Sequence, residues 1–123
     1  MNSNSNVKIM ASQRLRAYAR VELSGEVLIH DEEELYIVPL LNLSAGGCFV
    51  EKIHCISKGS EVKIVVRSKR LQFPIQAKGV VVRIEKEDRV GLAIEFTSIS
   101  QEARDSIQTL IYENKVQNAL KII

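Results

Sequence analysis

Arg89-Val90-Gly91-Leu92-Ala93-Ile94-Glu95-Phe96 is the stretch that decides the fold. Val90, Leu92, Ile94 and Phe96 fall on one side of an extended chain, and Arg89, Gly91 and Glu95 on the other. A period of two predicts a half-buried strand. The same period recurs upstream. Val62, Ile64 and Val66 alternate with Glu61, Lys63 and Arg67 after a Lys58-Gly59 turn. Phe73 to Ile84 reads as a long strand, ending with Val80, Val82 and Ile84 on one side and Arg83 and Glu85 on the other. Glu85 to Asp88 then reads as a charged turn. Val21, Leu23, Val27 and Ile29 share a face, and His30-Asp31-Glu32-Glu33 reads as a hairpin tip. Glu34 to Leu43 is a second apolar strand, in which Pro39 predicts an edge position or a bulge. Gly46-Gly47 permits a tight turn into a short third strand, Cys48 to Glu51. Six strands at this spacing predict a sandwich or a closed barrel, and closure leaves no open edges.

Outside this region the pattern changes. From Ser98 onward the period is 3.6. Ser100 suits an N-cap, Gln101 and Glu102 suit a first helical turn, and Ala103, Ile107, Leu110 and Ile111 form one apolar stripe. A helix from about residue 100 to 117, lying on the barrel, is expected, with a short apolar tail at 119–123. Residues 1–12 read as a disordered tail and Gln13 to Arg20 as a basic arm. The expected organisation is therefore one domain, 13–118, between two tails.

Composition narrows the function. A chain of 123 residues supplies one modest core. Its net charge of +2 argues against a protein that coats DNA, so anions must be recognised locally. Three Phe and three Tyr are too few for the stacking platform of a single-stranded nucleic-acid barrel. The N-terminus lacks an apolar signal segment, and no run approaches the roughly 20 apolar residues that span a bilayer. A cytoplasmic protein without membrane insertion is expected, with Cys48 as a reduced core thiol. The two histidines, His30 and His54, have no nucleophile at a motif spacing, and Asp31 to Glu34 reads as a solvated loop. Cys48, His54 and Cys55 lack the paired spacing of a zinc site. Neither an enzyme nor a metalloprotein is expected.

Two motifs remain. Arg16 and Arg20 are four apart, with Arg14 just ahead, and guanidinium groups make bidentate bonds to phosphate and to guanine edges. Eight arginines make such a pair ordinary by itself, and a solvated arm is the plain alternative. Asn42-x-Ser44-x-x-Gly47 is rarer. Asn42 and Ser44 suit an Asx-type turn between strands, or can present polar groups outward, while Gly46 and Gly47 let a ligand approach the backbone.

In combination, Arg16-Ala17-Tyr18-Ala19-Arg20-Val21 before the first strand and Asn42-Leu43-Ser44-Ala45-Gly46-Gly47 between the second and third resemble the PilZ domain family. Arg89 to Phe96 followed by a Ser-capped helix is also similar to that family, and the likeness spans about residues 13 to 112. It implies an all-β, six-stranded antiparallel barrel with a flexible basic N-terminal arm and a C-terminal helix. It further implies a bacterial receptor for the second messenger cyclic di-GMP. On that likeness, Arg16 and Arg20 hold phosphates and guanines, Asn42 and Ser44 bond a guanine or its phosphate, and Gly47 keeps the turn open. Gly46 and Arg14 complete the expected ligand-binding set. Leu15 stands where an arginine favours a stacked ligand pair in the family, which implies one ligand per chain. The arm is expected to order on binding and to relay the signal to an unidentified protein partner. A ligand-independent PilZ-like adaptor is the alternative the resemblance leaves open.

Overall fold

Each alternating segment pairs antiparallel with its neighbours until the sheet meets itself. The computed structural model describes residues 20–21, 24–51, 56–85 and 90–122. Its elements are β1 (Arg20–Val21), β2 (Glu26–His30), β3 (Leu35–Ser44), β4 (Gly47–Glu51), β5 (Glu61–Arg67), β6 (Ile75–Glu85), β7 (Gly91–Ile99) and α1 (Gln101–Ile122). The expected tail 1–12 and residues 13–19 with Arg14 and Arg16 lie outside the described residues, as do Leu23, His54, Cys55 and residues 86–89.

The strand order is β3-β2-β5-β6-β7-β4, and a β3–β4 pairing closes the ring into a six-stranded barrel. The short β1 is an addition to it. Its rungs, Arg20↔Ser44 and Val21↔Leu43, continue along β3 from the last β2 rung, Glu26↔Pro39. Arg20, expected in the arm, is therefore already strand. Pro39 occupies the end of the β2 ladder, one residue ahead of a bulge against β4 between Leu40 and Asn42. Val27, Ile29, Val62, Ile64, Val66, Ile75, Leu92 and Ile94 point inward and are buried. Burying a side chain of this size contributes about 1.5–3 kcal/mol.

One face assignment needs correction. In β6 the inward residue is Val81, which is buried, whereas Val82 is exposed. The β6–β7 register shifts between Val81 and Arg83, so Val82 is an extra residue. A bulge breaks the parity that alternation assumes, and the face of every later residue moves with it.

Helix α1 begins as its sequence predicts. Ser100 Oγ accepts from the Ala103 N–H at 3.0 Å, which caps the first turn. Ala103, Ile107, Leu110 and Ile111 are buried, and the helix packs on β1 and β3. It does not stop near 117. It runs to Ile122, because residues 112–122 contain no Gly or Pro to end it. The expected separate tail from 119 is thus helical up to Ile122, and Ala119 and Leu120 are exposed. The apolar stripe also changes side. Tyr112, Val116 and Leu120 recur every four residues and are all exposed, on the face opposite Ala103 and Ile107.

Candidate functional site

A cavity of about 380 Å³ opens where β1, the β3–β4 turn, β6, β7 and the start of α1 meet. Strand parity explains why the turn residues reach it. Leu43 and Val21 point into the core, so Ser44 and Arg20 point to the opposite face. The Arg20↔Ser44 rung puts them side by side. The bulge at Leu41 adds a residue ahead of Asn42, which turns Asn42 to that same outer face. Asn42 and Ser44 line the cavity yet are 7% and 8% exposed.

The turn's hydrogen bonds reveal its chemistry. Ser44 Oγ accepts from the N–H groups of Gly46 at 3.2 Å and Gly47 at 3.1 Å. The same hydroxyl donates to the Gly47 carbonyl at 3.3 Å. A hydroxyl has one donor and two acceptor sites, so Ser44 is fully used within its own turn. The Gly46 carbonyl accepts from the Phe96 N–H at 2.8 Å, tying the turn to β7. Gly47 lines the cavity and also lies against β7. A Cβ there would stand 2.2 Å from the Ile94 carbonyl oxygen, so the missing side chain makes room for β7. Asn42 differs: its side-chain amide makes no hydrogen bond to another described residue, and it faces the cavity.

Charge comes from three directions. Arg20 enters from β1, Arg83 from β6 and Arg104 from α1, while Glu95 of β7 is the one acid among the described residues of the wall. Among the described residues, three arginines against one glutamate leave a formal excess of +2. The Val82 bulge aims Arg83 here, and helix docking brings in Arg104. Neither arginine belongs to a local motif, and a sequence pattern cannot show that two distant elements will meet. Cys48 also borders the cavity, but burial pushes its thiol up to about 12, so it is protonated at neutral pH. Among the described residues, no three His, Cys, Asp or Glu side chains gather as a metal site. No described helix is long and apolar enough to cross a membrane.

Of the residues singled out by sequence, the structure brings Arg20, Asn42, Ser44, Gly46 and Gly47 to one cavity. The chain belongs to the PilZ domain family, whose model matches residues 14–113. No curated protein matches it in sequence. Among solved structures, it resembles the inhibitor of motility MotI/DgrA of Bacillus subtilis, at 23% identity and a TM-score of 0.67, over 80% of this chain and 51% of that one. It also resembles YcgR of Escherichia coli in complex with c-di-GMP, at 16% identity and a TM-score of 0.70, over 87% of this chain and 49% of that one. The isolated PilZ domain of YcgR with c-di-GMP matches at 14% identity and a TM-score of 0.62, over 88% of this chain and 98% of that one. At these identities the likeness is one of fold. The chain spans about half the length of MotI/DgrA and of YcgR.

Proposed function

We propose that this chain is a cytoplasmic bacterial receptor for cyclic di-GMP that performs no catalytic step and relays occupancy to a protein partner. The observation that carries the reading is the convergence of Arg20, the Ser44 turn, Arg83 and Arg104 on one cavity with a formal excess of +2. Cyclic di-GMP carries two negative charges and two guanines whose O6 and N7 accept bidentate arginine bonds. Its charge complements the wall, and 380 Å³ lies in the usual range for small-ligand sites. Family membership and the solved c-di-GMP complexes of similar fold support the same ligand.

The roles divide by hydrogen-bond capacity. Arg20 bonds a phosphate or guanine, Asn42 offers a buried amide, and Ser44, Gly46 and Gly47 hold the turn in shape. Arg16 and Arg14, preceding β1, supply further guanidinium groups. Three or four charge-assisted bonds at about 1.5–3 kcal/mol each, less the cost of ordering the arm, give a dissociation constant on the order of micromolar.

Calorimetric titration of the wild type with cyclic di-GMP tests the reading. Micromolar binding is expected, at least about tenfold weaker in Arg16→Ala and Arg20→Ala with unchanged melting. Absence of binding heat across temperatures would sink it. On this reading amides of residues 13–19 gain exchange protection with ligand, and equal exchange with and without it would remove the arm from the mechanism. One observation favours a second reading, a ligand-independent adaptor: the exposed stripe Tyr112, Val116 and Leu120. The same titration separates the two.

A further inference from the structure

Arg104 sits where a helix gains nothing from a cation. Ser100 is the N-cap, so Arg104 closes the first turn, near the positive end of the helix dipole. Its helical neighbours at three and four residues are Ser100, Gln101, Ile107 and Gln108, none of them an acid. Among the described residues it makes no ion pair. It is half-buried beside Ala103 and Ile107, which fasten this end of the helix to the barrel. A cation with no ion pair among the described residues, unfavoured by the dipole and only half exposed contributes little to stability where it stands. It does line the cavity, together with Arg20 and Arg83.

We infer that Arg104 is a ligand contact, donating from α1 to one phosphate of a two-phosphate ligand whose other side is held by Arg20 and the β3–β4 turn. The inference rests on the cyclic di-GMP reading and adds two consequences to it. The ligand bridges the barrel wall and the helix, so occupancy fastens the docked part of α1. The cavity also discriminates by phosphate number, because a mononucleotide held by Arg20 leaves Arg104 without its anion.

The test is calorimetric titration of the full chain with cyclic di-GMP and with GMP, using wild type, Arg104→Ala, Arg104→Lys and, as a charge-matched control away from the cavity, Arg70→Ala. Ligand-free melting of each variant is recorded first. Arg104→Ala is expected to weaken cyclic di-GMP at least about tenfold, to change GMP by less than about threefold, and to keep the wild-type melting temperature. Arg104→Lys recovers part of the loss, and Arg70→Ala behaves as wild type. Hydrogen exchange adds a second readout: ligand protects amides 101–111 in wild type and fails to do so in Arg104→Ala at saturation. If wild type binds cyclic di-GMP and Arg104→Ala binds it equally well, the role of Arg104 is overturned while the receptor reading stands. If Arg104→Ala loses GMP and cyclic di-GMP alike, the discrimination by phosphate number is overturned. If wild type binds no cyclic di-GMP, the receptor reading falls, and this inference with it.

Discussion

Two turns of this barrel use the same device for different ends. At the β2–β3 tip, Asp31 Oδ1 accepts from the N–H groups of Glu33 at 2.9 Å and Glu34 at 2.8 Å. At the β3–β4 turn, Ser44 Oγ accepts from the N–H groups of Gly46 at 3.2 Å and Gly47 at 3.1 Å. In both, one side-chain oxygen accepts from two backbone donors of its own turn. The surroundings differ. The Asp31 tip is flanked by exposed Glu32, Glu33 and Glu34, so water replaces any bond it loses. The Ser44 turn is part of the cavity wall, with Ser44 and Ala45 buried and Gly46 and Gly47 half-buried, and it is fastened to β7. The Asp31 bonds are the shorter, charge-assisted ones, yet the weaker bonds of Ser44 matter more to the fold, because water is scarcer where they are made.

The contrast is sharpest at Gly47. Gly47→Ala places a Cβ against the Ile94 carbonyl and forces β4 from β7, costing about 3 kcal/mol or more. Urea midpoints measure it, and an unchanged midpoint would mean the two strands part freely. Ser44→Ala is next. It leaves the Gly46 and Gly47 N–H groups without their acceptor in a half-buried turn, at about 1–3 kcal/mol. Its loss of ligand affinity should follow this loss of fold, and a variant that melts like wild type yet binds nothing would restore Ser44 as a direct contact. Ser100→Ala, where the same kind of oxygen caps a helix, is expected to cost about 1 kcal/mol, read as a fall in the midpoint at constant slope.

Asp31 gives the smallest effect, and acid exposes it. The Glu34 and Glu33 backbone N–H groups hold its carboxyl below the ordinary value of 3.8. A depressed native pKa adds stability that is present above the unfolded value and is lost as pH falls through the native one. The stability gap between wild type and Asp31→Asn should therefore stay level from about pH 8 to 5 and shrink below about pH 4. A gap that widens in acid would contradict this assignment.

The barrel was largely legible in the sequence, because one buried face forces a period of two and a helix on the sheet forces 3.6. Legibility failed where the chain adds a residue. Alternation carried through Val80 and Val82 gave the wrong inward residue, since Val82 is the bulge. It also failed where a helix outlasts its docking surface: the stripe through Ala103 and Ile107 ends at Ile111, and only the absence of a stop signal indicates that α1 continues. For the site, Arg20, Asn42, Ser44, Gly46 and Gly47 line one cavity, while Arg14 and Arg16 lie outside the described residues. Arg83 and Arg104 were illegible because a bulge and a docking event, both tertiary, put them there. The reason for Gly47 was illegible too, since its constraint is a strand 47 residues further along the chain.

The self-contained Ser44 turn has a consequence for how such signatures are inherited. Ser44 and Gly47 are needed to keep the barrel shut whether or not a nucleotide is ever bound. A descendant that abandoned the ligand would still be selected to retain them, while its arginines drifted. Within the signature, Ser44 and Gly47 are therefore tied to the fold, and Arg20 and Asn42 are the members whose retention the proposed ligand would demand.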